Sequence, residues 1–233
     1  MCIILALPSF LICCRLFDHP DSRIQEQAFN IVRNLADNED GIDLVFQEMG
    51  VNILLDRTRT ALESTDDDVT QQAALTLANL VNGNGNDASQ IITFPRMLAV
   101  LHSCLSDRKT DIRRPICSIV CELAQTGGTE GRKALVDEGF GSTLKRIVEW
   151  AGSLGTGSAY VGSPSGTSAL SSSLVGTSPV QQTSYMSGLR REFGGRVPSP
   201  MRYHRIEEDK KLTEMAKLAL DWLEHGDAYT GNN

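Results

Sequence analysis

One spacing of apolar side chains recurs along this chain. In Arg23–Ala36 the apolar residues Ile24, Ala28, Ile31, Val32 and Leu35 fall at steps of four, three, one and three, which places one stripe on a helix. Val69–Val81 repeats the pattern position for position. Ile112, Ile116, Ile119, Val120 and Leu123 carry it again, as do Leu212, Ala216, Ala219, Leu220 and Leu223. Leu35 and Leu80 are 45 residues apart, and Leu80 and Leu123 are 43 apart. Such a helix cannot bury its stripe alone, so the units must stack on one another.

Each interval divides in the same way. After the opening helix, Asn38-Glu39-Asp40-Gly41 is a polar break, 42–49 reads as a short helix, Gly50 punctuates, and Val51–Leu62 reads as a second helix. Thr65-Asp66-Asp67-Asp68 then supplies an N-cap. Ser22 with Gln25 has the form of a capping box for the opening helix, and Pro115 is expected in the first turn of the third copy. Three helices per 43 to 45 residues is the armadillo/HEAT signature. Two short helices before a longer one favour armadillo, as do Gly50 and Gly139 between the first two; the middle copy has Phe94-Pro95 instead. The expected fold is all-α, a right-handed armadillo-type superhelical solenoid with a long disordered insertion and a C-terminal helix.

Residues 1–150 form the repeats, and the first is incomplete: 6–18, with Pro8 in its first turn, reads as a second helix whose partner helix does not precede it. The chain thus has the form of a C-terminal piece of a longer solenoid. Helices at 129–138 and 140–150 open a fourth repeat. Residues 151–205, rich in Ser and Gly and poor in large apolar side chains, read as a disordered insertion. The third helix of that repeat is expected at 206–225, followed by a flexible tail at 226–233. Ser163-Pro164, Ser178-Pro179 and Ser199-Pro200 in the insertion are candidates for phosphorylation beside its arginines.

Composition restricts the function. A net charge of −7 argues against nucleic-acid partners, which require a basic face. The six cysteines show neither a disulfide framework nor CxxC metal spacing, which points to reduced thiols in the cytoplasm and nucleus. The apolar start, Met1–Cys14, lacks a basic n-region and is too short to span a bilayer, so no membrane partner is expected. Gly127-Gly128-Thr129-Glu130-Gly131-Arg132-Lys133 departs from a phosphate-binding loop, and the four histidines are scattered. The expectation is a protein without catalytic residues, cofactor, metal or small-molecule substrate.

Binding chemistry is instead expected on the third helices, which line the concave groove of an armadillo superhelix. One position before the last apolar Leu stand Asn34, Asn79, Glu122 and, by the same register, Trp222. An asparagine amide offers a donor and an acceptor to the backbone of an extended peptide. Arg33, Arg113 and Arg114 would draw an acidic segment. Armadillo nuclear-import receptors place Trp four residues before this Asn; here Asn30, Leu75 and Ser118 occupy those positions, which disfavours nuclear-localisation signals.

Phe17-Asp18-His19-Pro20-Asp21-Ser22-Arg23-Ile24-Gln25-Glu26-Gln27-Ala28-Phe29-Asn30-Ile31-Val32-Arg33-Asn34-Leu35 resembles the C-terminal armadillo repeats of the GID/CTLH ubiquitin-ligase scaffold subunit, the armadillo-repeat-containing protein eight type. Gly41-Ile42-Asp43 and Lys217-Leu218-Ala219-Leu220 are also similar, and the resemblance extends over roughly 6–150 and 206–224. It implies a non-catalytic subunit that joins ligase core subunits and holds the substrate receptor, whose tail runs in the groove, for proteasomal degradation of metabolic enzymes. The chain departs from that family in lacking the N-terminal repeats. A general armadillo adaptor in transport, adhesion or vacuolar traffic is the alternative.

Overall fold

The computed structural model describes residues 15–83, 85–155 and 200–230. Among them ten helices follow one another: α1 (Ser22–Leu35), α2 (Glu39–Met49), α3 (Val51–Leu62), α4 (Asp67–Leu80), α5 (Gly85–Thr93), α6 (Met97–Asp107), α7 (Thr110–Thr126), α8 (Gly128–Asp137), α9 (Phe140–Gly155) and α10 (Pro200–Thr230). They repeat in threes. The third helices α1, α4, α7 and α10 stack in one row, and the second helices α3, α6 and α9 pack in another.

Local chemistry sets the helix ends. Asp66 caps α4 by accepting from the Asp68 and Val69 amides at 3.0 and 3.3 Å, and Asn38 caps α2 by accepting from Gly41 at 2.9 Å. The cap of α1 is Asp21, accepting from Arg23 at 3.0 Å, and not Ser22 as the capping-box pattern predicts. Gln25 turns away from that role and donates to the His19 carbonyl at 2.8 Å. Pro115 also differs from expectation. It lies inside α7, one turn beyond the first, so it cannot donate to the Asp111 carbonyl as a regular helical residue would.

The turns between first and second helices need a left-handed residue. Gly50 and Gly139 supply it at φ 78° and 96°. In the middle repeat Arg96 takes the same conformation at φ 64°, immediately before α6. Phe94-Pro95 therefore leaves the junction geometry intact without glycine.

The α1 stripe is not buried as its spacing predicts. Ala28, Phe29 and Val32 form its core face, whereas Ile31 is 45% exposed and Leu35 41% exposed. The matching residues Thr76 and Leu80 on α4, and Ile119 and Leu123 on α7, are fully buried. The reason is positional. Each later third helix has its leading side covered by the previous one, and no described helix covers that side of α1.

The opposite, trailing side shows the complementary trend. Phe29, Arg33 and Ala36 on α1 correspond to Ala74, Ala78 and Val81 on α4 and to Cys117, Cys121 and Ala124 on α7. On α10 the same positions are Lys217, Asp221 and Glu224, so the outer face there is polar. Lys145 pairs with Glu224 at 2.7 Å, and His225 with Asp221 at 3.2 Å.

Helix α10 packs on α7, α8 and α9 as a fourth third helix. Leu212, Ala216 and Ala219 are buried, Thr110 donates to Asp209 at 2.9 Å, and Arg114 pairs with Glu208. Its far end is held by the buried Arg132, which donates to the Ala124 carbonyl at 3.0 Å and pairs with Asp227. These contacts carry the helix through 226–230, residues expected as tail. The helix also begins at Pro200 rather than 206, and α9 continues to Gly155, so both shorten the expected insertion. The remainder of that insertion with its Ser-Pro pairs, residues 231–233 and the expected helix from 6 to 14 lie outside the described residues.

Two measurements check this account. Leu80→Ala is expected to cost about 2–5 kcal/mol, while Leu35→Ala costs less than about 1 kcal/mol, read from chemical denaturation. Limited proteolysis between 156 and 199 is expected to leave 200–230 bound to the solenoid on gel filtration without denaturant.

Candidate functional site

The exposed side of the third-helix row carries a polar cluster at one end and an apolar depression beyond it. At the α1–α4 junction, Arg33 donates to Gln72 Oε1 at 3.2 Å and to Asn30 Oδ1 at 3.0 Å. Asn79 Nδ2 donates to the Arg33 carbonyl at 3.0 Å, and Thr76 Oγ1 donates to the Phe29 carbonyl at 3.0 Å. Neighbouring third helices are thus joined by side chain to backbone bonds as well as by packing. These bonds satisfy carbonyls that otherwise serve only their own helix.

The residues singled out from sequence separate into distinct environments. Asn30, Arg33 and Asn79 meet in this cluster. Asn34 is exposed beside it and makes no side-chain hydrogen bond among the described residues. Glu122 lies further along, half-buried, and burial raises its carboxyl pKa above 4.5. Trp222 is half-buried against the core and meets Tyr229 edge-to-face at 5.2 Å. Arg113 faces elsewhere: its Nε donates to the Leu105 carbonyl at 2.9 Å, toward α6. It is Arg114, one residue on, that reaches the open side.

Arg114 lies on the rim of a depression of about 410 Å³ bounded by α4, α7 and α10. Leu75, Ala78, Pro115 and Met215 provide apolar surface, and Ser118, Lys211 and Glu214 complete the lining. Met215 and Gln72 escape the sequence argument. Both hold the register of Gln27 and Pro115, a signal visible in the alignment of repeats, but side-chain type alone does not mark that position as open.

Among the described residues the thiols, Cys104, Cys117 and Cys121, are buried and not part of this surface. Burial raises the pKa of Cys104 and Cys121, and pushes Cys117 up to about 12. Among the described residues no group of three or more His, Cys, Asp or Glu could hold a metal ion, and no helix is long and apolar enough to cross a membrane.

Comparison with solved structures places this geometry. An engineered protein superposes with a TM-score of 0.62 at 19% identity, over 96% of this chain and 65% of its own. A second engineered protein matches at 0.53 and 19% identity, over 93% of this chain and 48% of that one. A designed armadillo repeat protein in complex with the peptide (KR)4 matches at 0.54 and 14% identity, over 91% and 80%. The chain has an armadillo-type fold. It spans less than two thirds of the first two proteins, and identities this low bear on fold alone. No protein-family model matches the sequence, and no curated protein matches it.

The Glu122 environment predicts a pH dependence. Its folded pKa is raised, so its ionisation opposes folding: the contribution of this group to stability is fully present below the unfolded value and is lost as pH rises through the folded pKa. Glu122→Gln is expected to abolish this decline, with a Tm at pH 7 equal to or above that of the parent protein.

Proposed function

We infer that this protein is a non-catalytic scaffold whose third-helix row holds an extended segment of a partner protein. The observation that carries the reading is the depression between α4, α7 and α10. An apolar floor of Leu75, Ala78, Pro115 and Met215 suits one large apolar side chain. The rim groups Arg114, Lys211 and Glu214 suit polar flanks, while Asn34 offers an amide to the peptide backbone further along. The complex of a designed armadillo neighbour with the peptide (KR)4 supports peptide binding on this architecture. A basic peptide of that kind is a poor match here, because Leu75 and Ser118 stand where a lysine-sandwiching receptor has Trp.

The partner assignment is finer. The Phe17–Leu35 resemblance supports a role in linking a substrate receptor to core subunits of a GID/CTLH-type ubiquitin ligase, in the cytoplasm and nucleus, for proteasomal degradation. In this reading ubiquitin transfer belongs to the RING subunits.

Two experiments test the two levels. Affinity purification of the tagged chain is expected to recover RING and LisH/CTLH subunits; their consistent absence removes the ligase assignment and leaves the scaffold. Ser118→Trp places an indole in the depression. It is expected to weaken binding of a co-purifying partner by about tenfold or more with the Tm unchanged. Undiminished binding would sink the groove reading.

A further inference from the structure

The α1–α4 junction gathers hydrogen-bond donors around one guanidinium. Arg33 is half-buried and donates to Gln72 Oε1 and Asn30 Oδ1 at 3.2 and 3.0 Å. An arginine can only donate, so both amides must turn their oxygens toward it and carry their NH2 groups alongside. Those NH2 groups, and the remaining N–H groups of Arg33, have no acceptor among the described residues. The Arg33 backbone is fixed as well, because its carbonyl accepts from Asn79 at 3.0 Å.

No carboxylate neutralises this charge. Arg57 pairs with Asp18, Arg59 with Asp56 and Glu63, Arg108 with Asp67, Arg114 with Glu208 and Arg132 with Asp227. Arg33 forms no ion pair among the described residues, although Glu26 stands seven residues before it and Asp37 four after it. A cation held by neutral amide oxygens, with spare donors on both sides, suits a carboxylate, which accepts two parallel N–H bonds from a guanidinium. Because neighbouring side chains already hold the fork in place, little ordering remains to be done on binding. The protein as a whole carries −7, so attraction at long range does not favour an acidic ligand; this local geometry must.

The guanidinium adjoins the depression of the open side. Gln72 and Leu75 are neighbours one turn apart on α4, and Leu75 lines the depression. Helix α4 packs between α1 and α7. One interhelical spacing, about 8–10 Å, thus separates the two positions, and an extended chain covers it in about three residues.

The residues of this chain outside the described ones are poor sources of the anion. Residues 1–14 contain neither Asp nor Glu, and Asn84 and 231–233 carry no acidic side chain. Residues 156–199 contain only Glu192, directly preceded by Arg190 and Arg191.

We propose that Arg33, with Asn30 and Gln72, binds an aspartate or glutamate carboxylate of a partner protein, about three residues along an extended segment from the apolar side chain seated in the depression. The assignment rests on the groove reading above and names a side chain that the partner segment must carry.

The test selects random short peptides displayed on phage against the full chain and measures the recovered sequences by fluorescence anisotropy. The selection is expected to enrich a large apolar residue with Asp or Glu about three positions away. Replacing that acid by its amide in the peptide, or Arg33→Gln in the protein, is expected to weaken binding about tenfold or more, and both changes together no more than either alone. Asn30→Asp places a carboxylate on the guanidinium. It is expected to give the same loss with the Tm unchanged or raised, so the outcome does not depend on how well Arg33→Gln folds. Ser118→Trp is expected to weaken the same peptides, and Glu192→Gln to leave them unaffected. Peptides that Ser118→Trp weakens but that carry no acid, or that ignore Arg33→Gln and Asn30→Asp, overturn the carboxylate site and leave the groove reading standing. Peptides indifferent to Ser118→Trp, or no selected peptide at all, remove the groove reading and this site with it. Binding strengthened by Glu192→Gln also overturns the proposal, because the chain itself then supplies the carboxylate.

Discussion

The structure depends on one recurring contact, in which the leading apolar side of each third helix is buried under the trailing side of the one before. Leu80 and Leu123 are fully buried, and Leu35, identical in type and register but without a described third helix on that side, is not. Burial of a leucine side chain is worth roughly 1.5–3 kcal/mol, so each junction contributes a substantial share of the stability of its unit. The cores of the repeats are not independent. Stability is propagated along the row, and among the described helices α1 and α10 have one third-helix neighbour where α4 and α7 have two.

The two ends resolve this in opposite ways. At α10 the trailing positions become Lys217, Asp221 and Glu224, which remain in water and pair with Lys145 and His225. The helix is fastened by polar contacts at its start and end. Arg132 is the most buried of these groups, and its Nε has no hydrogen-bond partner among the described residues. That cost is tolerable because the guanidinium also engages the Ala124 carbonyl and the Asp227 carboxylate, tying α8, α7 and α10 together. Gly226 makes room for it: a Cβ there would meet Arg132 Cδ at 2.7 Å. At α1 the leading side stays apolar. The outer side of α10 is thus polar and that of α1 apolar.

The open side of the row combines two kinds of surface. Near α1 it is amide-rich, and part of that polarity is spent on the protein itself, since the Asn79 donor and the Arg33 guanidinium both bind neighbouring third-helix groups. Beyond α4 it becomes apolar, with charged groups confined to the rim. An extended ligand would meet backbone-directed polar groups first and a side-chain pocket second. The register placed Asn30, Asn34 and Asn79 on one side of the row. What the register did not disclose was whether an amide points to solvent or to an adjacent backbone carbonyl, because both directions share the same helical position.

The sequence by itself determined the repeat length, the helix order, the glycine junctions at Gly50 and Gly139 and the placement of 206–225 in the row, because each follows from periodicity or from a backbone conformation with few permitted residues. The tertiary structure decided which face of α1 is core, that Arg96 takes the left-handed junction, that Asp21 rather than Ser22 caps α1, and that Arg114 rather than Arg113 reaches the open side. Those outcomes depend on which helix lies alongside and on competition between nearby donors and acceptors. A pattern of apolar spacing defines a stripe on a helix; only the neighbour defines how much of that stripe is removed from water.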